Sequence, residues 1–258
     1  MAFTAISLGW GVQSFTLAAM SALGDLPPVD VAIHADTTHE MAATYAFAQE
    51  WAPWLEKRGV RVVTVTTAAR PVDIWGGVAM PAYTLEDGKR GRIKRQCTND
   101  WKIAPVRKLL QSERNGQPVE LWLGISTDEW HRAKSADVQY IDHKYPLLDL
   151  GMSRADCLRW LTAHRLPSPG KSSCTFCPFH RIGEWEQIKR TGGADWEEAL
   201  QVDEMIRHAR PPGVLYAHAR MLPLTEAVII PEDYGYTQLD LLASDDDDAE
   251  CDSGFCFL

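Results

Sequence analysis

The chain has 258 residues, and its 26 basic and 35 acidic side chains give a formal net charge of −9. Hydrophobic residues make up 45% of the chain and charged residues 24%, which is usual for a globular protein and excludes a disordered chain, a collagen-like repeat or a coiled coil. No apolar run approaches the roughly 18 residues of a membrane span, and no basic flank precedes the apolar N-terminal stretch. We therefore expect a cytoplasmic protein of one or two domains, without a membrane anchor or a signal peptide.

Strand and helix patterns alternate through the first half of the chain. Predicted strands cover residues 3–8, 29–35, 60–66 and 119–123, and predicted helices cover the stretch from the first strand to about Leu23, residues 41–57 and residues 103–111. We expect Pro53 to kink or split the second of these helices. Alternation at this spacing indicates a parallel sheet joined by right-handed crossovers.

The C-terminal part of the chain has a different pattern and is predicted to be mostly helical. Helical segments are predicted at residues 153–165, 181–190 and 196–208. Ser153 and Asp156 have the spacing of a capping box at the start of the first of them.

These patterns predict an α/β fold with three regions. Residues 1–150 form an open, mostly parallel sheet with flanking helices, into which an aperiodic loop or lid is inserted at about 67–100. Residues 151–240 form a helical, cysteine-bearing C-terminal part. Residues 241–258 form an acidic, flexible tail.

The turn Gly9–Ser14, which follows the first predicted strand, has the composition of an anion site. A strand, a glycine turn and a helix leave free N–H groups and the positive end of the helix dipole at the start of the helix. Gly9 and Gly11 would let the backbone approach a phosphate, and Ser14 would add a hydroxyl. The turn is neither a Walker loop nor a Gly-x-Gly-x-x-Gly motif, so a tight turn without a ligand is the alternative.

The segment Ser7–Ser14 resembles the pyrophosphate loop of the adenine-nucleotide alpha-hydrolase (PP-loop) superfamily. That superfamily contains N-type ATP pyrophosphatases, nucleic-acid sulfurtransferases and phosphoadenylylsulfate (PAPS) reductases. Gln13 is nearer the reductase branch, since many of the ATP pyrophosphatases have aspartate there, whereas Trp10 departs from the usual glycine or small residue. The resemblance implies a nucleotide site at the carboxyl edge of the sheet.

Asp36–Tyr45 is similar to the Asp-Thr-Gly…Glu-Thr-Tyr element of the PAPS reductases, with departures at Thr38, Ala42 and Ala43. A helix N-cap is the alternative role for Asp36 by itself. The resemblance implies a set of nucleotide-binding residues, which are Ser7, Gly9, Gly11, Val12, Gln13, Ser14, Asp36, Thr37, Thr38 and Gly124.

Gly124–Arg132 is similar to the Gly-Leu-Arg…Arg segment of the same family, in which arginines hold the anionic groups of the substrate. Arg132 is retained, and the resemblance implies that it binds an anion. Ser126 stands where the reductases usually have arginine, which weakens the case for a sulfate-ester substrate. A polar surface loop is the alternative.

Positive charge is concentrated in residues 89–108. Eight basic residues lie there against one acidic residue, Asp100, although the chain as a whole is acidic. Such a segment can hold a phosphate, a sulfate or a nucleic-acid backbone. We predict that Lys94, Arg95 and Lys102 hold a polyanionic acceptor, with a solvated loop as the alternative.

Six cysteines without a secretory signal favour a reducing compartment, and metal or redox chemistry over structural disulfides. Cys174 and Cys177 form a Cys-x-x-Cys motif in a predicted loop, which favours metal ligation over a thioredoxin-type motif. The pair cannot complete four-fold coordination, and Cys97 is the natural distant ligand. Cys157 lies on the apolar face of a predicted helix and is expected to be a packed core thiol. His180 is either a ligand or a surface histidine.

The arrangement of Cys97 with the later pair resembles the iron–sulfur members of the superfamily, although Gln96 replaces the first cysteine of the adenylylsulfate reductases. Three cysteine ligands are what certain nucleic-acid thiolation enzymes use, leaving one iron free to hold sulfide. The resemblance implies a cluster, of the [4Fe-4S] type, with zinc or no metal as alternatives. Its implied ligands are Cys97, Cys174, Cys177 and Cys256, and its implied catalytic cysteines are Cys97 and Cys251.

The resemblance therefore implies an ATP-dependent adenylating sulfurtransferase acting on a nucleobase or another polyanionic acceptor. Its partners would be the nucleotide, a nucleic acid as acceptor, a sulfur-donor protein or sulfide, and a second copy in a homodimer, but no membrane. A PAPS or adenylylsulfate reductase, with PAPS replacing ATP, is the first alternative. A non-catalytic nucleotide- or nucleic-acid-binding module stabilised by zinc is the second.

Overall fold

The structure is a computed structural model, which describes residues 2–66, 80–94 and 96–230. The chain divides into two compact units, and among the described residues the first unit contains 2–66 and 98–173. The second contains 80–94, 96–97 and 174–230. The division thus falls after Ser173, later in the chain than the boundary predicted near residue 150. Within the described part, no helix is both long enough and apolar enough to cross a membrane.

The strands are β1 (Phe3–Ser7), β2 (Val31–Asp36), β3 (Val62–Thr66), β4 (Tyr83–Glu86), β5 (Lys89–Arg92), β6 (Val119–Trp122), β7 (Ile141–Lys144) and β8 (Val214–Tyr216). The helices are α1 (Val12–Leu23), α2 (Ala42–Glu56), α3 (Ala104–Glu113), α4 (Pro146–Asp149), α5 (Arg154–Ala163), α6 (Ile182–Thr191), α7 (Gly193–Ile206) and α8 (Leu224–Ala227). A π-helical segment covers Thr98–Ile103, and a 3₁₀ segment covers Thr127–Arg132.

The first unit is built on a five-stranded sheet in the order β3-β2-β1-β6-β7. Each neighbouring pair of strands is parallel. Of the three inner strands, β1 and β2 are buried over most of their length, as expected for a parallel sheet covered on both faces. The predicted α/β fold with an open, mostly parallel sheet is therefore confirmed.

An aromatic cluster fills the core where α1 and α2 cover the sheet. Phe15 lies 4.9 Å from Phe47 and 5.7 Å from Trp51, measured between ring centroids, and both contacts are edge-to-face. Cys157 of α5 is fully buried in the same core, as predicted. Burial raises the pKa of its thiol to about 11, so Cys157 is an inert packing residue.

Two local predictions for the first unit differ from the structure. Helix α2 runs without a break from Ala42 to Glu56 with Pro53 inside it, so of the predicted kink or split the split is wrong. Proline lacks a backbone N–H and so removes one hydrogen bond of the helix. The packing of Trp51 and Leu55 against the core stabilises the helix in spite of that loss. Strand β7 was not predicted, because Ile141–Lys144 is only four residues long and its one apolar residue, Ile141, is followed by three polar or charged ones.

The second unit has its own sheet, in the antiparallel order β5-β4-β8. The described part of the predicted lid is thus a β-hairpin and not an irregular loop, whereas residues 67–79 lie outside the described residues. Asp87 and Gly88 form its turn, with φ of 48° and 72°. These left-handed values are what a two-residue hairpin turn needs, and glycine adopts them without steric cost.

A buried carboxylate on α7 joins three elements of the second unit. Asp203 is 2% exposed and accepts hydrogen bonds from the backbone N–H groups of Ala217 and Leu224, both at 3.0 Å. It also forms an ion pair with Arg207 on the next turn of its helix. The side chain therefore ties the end of β8 and the start of α8 to α7.

His218 makes the stability of the second unit depend on pH. Burial lowers its pKa from 6.5 to about 4, and Arg220 donates its backbone N–H to the unprotonated Nδ1 at 3.1 Å. Between these two pKa values the unfolded chain binds more protons than the folded one, so the free energy of unfolding falls as pH decreases from about 6.5 to 4. The expected loss is about 3 kcal/mol.

Urea denaturation across this pH range tests the effect. His218→Asn should flatten the pH dependence, whereas His208→Asn, at an exposed position, should leave it unchanged. An unaltered profile in His218→Asn would show that other groups control it.

Candidate nucleotide site

The candidate site lies at the carboxyl edge of the five-stranded sheet. From β1 the chain passes to β2 and β3 on one side, and it later returns to β6 on the other side of β1. The loops after β1 and β6 therefore diverge and leave a crevice outside their carboxyl ends. Open α/β sheets bind their ligands at such a switch point.

The turn between β1 and α1 is formed as an anion site requires. Gly11 is the N-cap of α1 with extended backbone (φ −85°, ψ 171°), and no side chain of the described residues caps the helix. Ser14 lies in the first turn and donates its hydroxyl to the Gly11 carbonyl at 3.2 Å. The N–H groups that begin α1 are thus left for a ligand or water.

Trp10 occupies the left-handed region, with φ of 60°, inside this turn. Its side chain is 2% exposed and packs beside Phe15, His34 and Phe47. Burial of a large ring in the aromatic core supports a backbone conformation that a residue with a side chain seldom adopts. The departure from glycine at this position therefore anchors the turn to the core.

Gly124, just after β6, packs directly against the first turn of α1. An ideal Cβ at this position would lie 2.8 Å from the Ser14 nitrogen and 3.0 Å from the Gln13 carbonyl carbon. Backbone atoms at these distances could not accommodate it without moving. Glycine is therefore needed here for the close approach of two chain segments, and Gly124 lies at the floor of the crevice, against the start of α1.

Gln13 and Arg154 connect the start of α1 to the loop after β6. Arg154 donates from Nη1 to the Gln13 Oε1 at 2.9 Å, and the Gln13 Nε2 lies 3.5 Å from the Ser126 hydroxyl. Asp128 accepts the backbone N–H of Arg154 at 2.6 Å. Gln13 is 2% exposed, so its side chain positions the site.

Arg154 was not predicted to take part in the site. The capping box of Ser153 and Asp156, which the sequence does predict and the structure confirms, fixes Arg154 at the first position of α5. The sequence carries no signal for the direction of its side chain, which depends on how α5 packs against α1. This guanidinium places a positive charge next to the uncapped helix start.

The loop after β2 is ordered by Asp36 and Tyr45. Asp36 accepts hydrogen bonds from the Thr38 backbone and from the Tyr45 hydroxyl, both at 2.7 Å. Burial and this carboxylate raise the pKa of Tyr45, so the phenol stays protonated and remains a donor. Thr38 adopts φ of 63°, where the reductase pattern has glycine. The alternative role predicted for Asp36, a helix N-cap, is wrong, because Met41 is the N-cap of α2 and no side chain of the described residues caps that helix.

A buried ion pair lies behind this loop and was also missed. Glu40 is 1% exposed at its side chain and accepts from the Lys102 ammonium at 3.1 Å and from the Ser172 hydroxyl at 3.2 Å. Lys102, 14% exposed, belongs to the π-helical segment before α3. The lysine predicted to hold a polyanionic acceptor is therefore engaged with a carboxylate of its own unit.

His34 on β2 holds the beginning of the glycine turn. Its Nδ1 donates to the Leu8 carbonyl at 3.1 Å, which fixes the proton on that nitrogen because a carbonyl only accepts. Burial lowers the pKa of His34, so the ring is neutral near pH 7. Together with Trp10, it fixes the position of the chain leading into the turn.

The remaining predicted anion-binding residues lie in different places. Arg132 is 3% exposed, and its Nη1 lies 2.6 Å from Glu129 Oε1, so an anionic ligand would have to compete with that carboxylate. Lys94 is exposed and belongs to the second unit, whereas Lys102 belongs to the first. Arg95 lies outside the described residues.

Cys97, Cys174 and Cys177 all belong to the second unit, each partly buried and none in a disulfide. Cys174 and Cys177 are the ends of a turn closed by a backbone hydrogen bond of 3.1 Å. His180 donates from Nε2 to the Cys174 carbonyl at 2.9 Å, which occupies one of its two ring nitrogens.

Among the described residues, no three His, Cys, Asp or Glu side chains lie where they could share a metal ion. The described cysteines alone do not fit an iron–sulfur cluster or a zinc ion, so no step is assigned to either. Cys251 and Cys256 lie outside the described residues, and the predicted four-ligand set stays a prediction.

No protein-family model matches the sequence, and a search of curated proteins finds no match. Among solved structures, the chain is similar to the phosphoadenylyl-sulfate (PAPS) reductase from Candida auris in its phosphate complex. The TM-score is 0.47 and the identity 13%, over 67% of this chain and 81% of that chain. The α/β fold of the first unit stands on its strand order and pairing.

Proposed function

We propose that the first unit binds the phosphates of an adenine nucleotide in the crevice between the loops after β1 and β6. One observation carries this proposal, namely the uncapped start of α1 behind a glycine turn at the switch point of a parallel sheet. The N–H groups and the dipole of a twelve-residue helix favour negative charge there. Arg154 adds a cation beside the same helix start.

We further propose that the protein is an ATP-dependent adenylating sulfurtransferase. An acceptor oxygen attacks the α-phosphorus of ATP, the bond to the β-phosphate oxygen breaks, and pyrophosphate leaves. Sulfide, free or already released by a donor protein, then attacks the carbon that bears the adenylated oxygen, the bond from that carbon to the oxygen breaks, and AMP leaves. The helix start and Arg154 stabilise the charge that develops on the leaving pyrophosphate.

Product analysis tests the reaction. Incubation with ATP and an acceptor should release AMP and pyrophosphate, whereas a PAPS reductase would release sulfite from PAPS in the presence of a thiol reductant. Sulfite release would replace the proposed reaction with the reductase alternative. Nucleotide binding without turnover of ATP or PAPS would favour the second alternative, a non-catalytic binding module.

Gly11→Ala should lower nucleotide affinity without unfolding the protein. A Cβ at position 11 meets no atom within 4 Å and the backbone there is extended, so the fold tolerates alanine. The methyl group takes the space that a phosphate needs to reach the helix N–H groups. Loss of one charge-assisted hydrogen bond predicts an affinity decrease of about tenfold to a hundredfold.

Isothermal titration calorimetry with ATP provides the measurement. Gly170→Ala is the matched control, since its Cβ would also meet open space and its position lies outside the turn. Equal affinities for Gly11→Ala and the wild type would place the phosphates elsewhere.

A further inference from the structure

A small pocket in the second unit is lined by α6 and by the chain that follows β8. The residues used below are Ile182, Trp185 and Glu186 of α6 together with His218, Arg220 and Val228. The empty space among them is about 240 Å³, part of it open to solvent, and the enclosed part has room for about one water-sized group. An occupant would therefore place one small group inside and its remaining atoms at the opening.

His218 is the buried polar group of this pocket. The residue is 4% exposed, and its Nδ1 accepts the backbone N–H of Arg220, so the ring carries its proton on Nε2. Burial and the charge of Arg220 lower the pKa of His218 to about 4, and the ring is neutral near pH 7. No described residue accepts a hydrogen bond from Nε2. A desolvated histidine beside a charged group in a cleft is a feature of ligand sites, and this N–H is a donor that the pocket offers.

Two charges of opposite sign line the same pocket without pairing. Arg220 donates from Nη1 to the Ala227 carbonyl at 3.1 Å, which holds the guanidinium in place and leaves Nη2 without an acceptor among the described residues. Glu186 is half-buried and forms no ion pair with Arg220 or with any other described residue. A cation and a carboxylate that line one pocket and do not neutralise each other are complementary to a ligand that carries both charges.

The rest of the lining is apolar. Trp185 and Val228 are 1% and 3% exposed, whereas Ile182 is only partly buried and leaves apolar surface for a ligand. An apolar lining with a few polar groups is the usual composition of small-molecule pockets. The small enclosed volume favours a ligand of few atoms with a short apolar part.

We propose that this pocket binds a free α-amino acid with a small apolar side chain. One carboxylate oxygen enters the enclosed part and accepts from His218 Nε2, while Arg220 contacts the same carboxylate. The ammonium group contacts Glu186, and the side chain packs against Ile182. Hydrogen bonds between charged groups are stronger than those between neutral ones, which offsets the small contact area. The proposal concerns the second unit alone and does not depend on the nucleotide site of the first.

Isothermal titration calorimetry of the full chain with L-valine at pH 7 tests the site, and the expected dissociation constant is in the millimolar range. Isovalerate lacks the ammonium group of valine, and isobutylamine lacks its carboxylate. Each should bind at least about tenfold more weakly than L-valine, because each loses one charge-assisted contact. Absence of binding up to about 20 mM L-valine, or equal affinities for the three compounds, would overturn the proposal.

Two variants assign the ends of the ligand. Glu186→Gln should lower affinity for L-valine by about tenfold without lowering affinity for isovalerate, and Glu197→Gln, at an exposed position of α7, is the matched control. His218→Asn should lower affinity for both carboxylates by at least about fivefold, because the amide oxygen can still accept the Arg220 N–H but the Nε2 donor is lost. If Glu186→Gln weakened valine binding no more than Glu197→Gln does, the assignment of the ammonium group, and with it the amino acid, would be wrong.

Discussion

Lys102→Met is expected to lower the free energy of unfolding by about 3–5 kcal/mol, because it leaves the buried carboxylate of Glu40 without its counter-charge. The Glu40 side chain is 1% exposed, and hydrogen bonds from Ser172 and Thr37, at 3.2 and 3.5 Å, cannot replace a full positive charge. Urea denaturation monitored by tryptophan fluorescence gives the difference. Because Glu40 follows β2 and Lys102 precedes α3, the loss should also loosen the carboxyl edge of the sheet.

A matched substitution and a double variant separate the charge from the packing. Lys144→Met removes an exposed ion pair, in which the Lys144 side chain is 41% exposed and that of Asp142 67%. This substitution should lower the free energy of unfolding by at most about 1 kcal/mol. Glu40→Gln combined with Lys102→Met should recover most of the loss, because no charge then remains buried. If Lys102→Met and Lys144→Met had equal effects, Glu40 would be reached by water.

Asp203→Ala is expected to destabilise the second unit by about 3 kcal/mol or more. The substitution leaves the backbone N–H groups of Ala217 and Leu224 without their acceptor, and each unsatisfied buried donor costs about 1–3 kcal/mol. It also removes the partner of Arg207. Thermal denaturation of the variant and the wild type measures the loss.

Glu204→Ala, at the neighbouring exposed position of α7, is the control and should change stability by less than about 0.5 kcal/mol. Asp203→Asn should be intermediate, because the amide keeps one acceptor oxygen but no charge. A loss for Asp203→Ala no larger than that for Glu204→Ala would mean that α7, β8 and α8 are held together by apolar packing alone.

The sequence predicts the parallel sheet well because its inner strands are strong local signals. Runs such as those of β1 and β2 are apolar and β-branched, and their positions depend little on the rest of the chain. Strand β7 has only four residues, and its sequence alone resembles that of a surface segment. Its strand character comes from pairing with β6. The β4–β5 hairpin did have a signal, since Asp87-Gly88 is a typical hairpin turn, but it was obscured by the surrounding basic residues.

The candidate site likewise has parts that the sequence predicts and parts that it does not. The glycine turn and its helix are local features, and the structure places them where the sequence predicts them. Arg154 and Glu40 were missed because their roles come from contacts between residues far apart in the chain, 141 positions for Arg154 with Gln13 and 62 for Lys102 with Glu40. Side-chain direction at such positions is set by tertiary packing, which no local pattern encodes.

Position 124 has a consequence for how this crevice can vary. Because the backbone of α1 occupies the space that any side chain would need, the floor of the crevice is formed by two stretches of main chain in contact. In a saturation library this position should reject alanine almost as strongly as tryptophan, whereas neighbouring positions should show graded tolerance by size. Changes in ligand preference would then have to come from the residues that rim the opening, since its floor has no side chain to exchange.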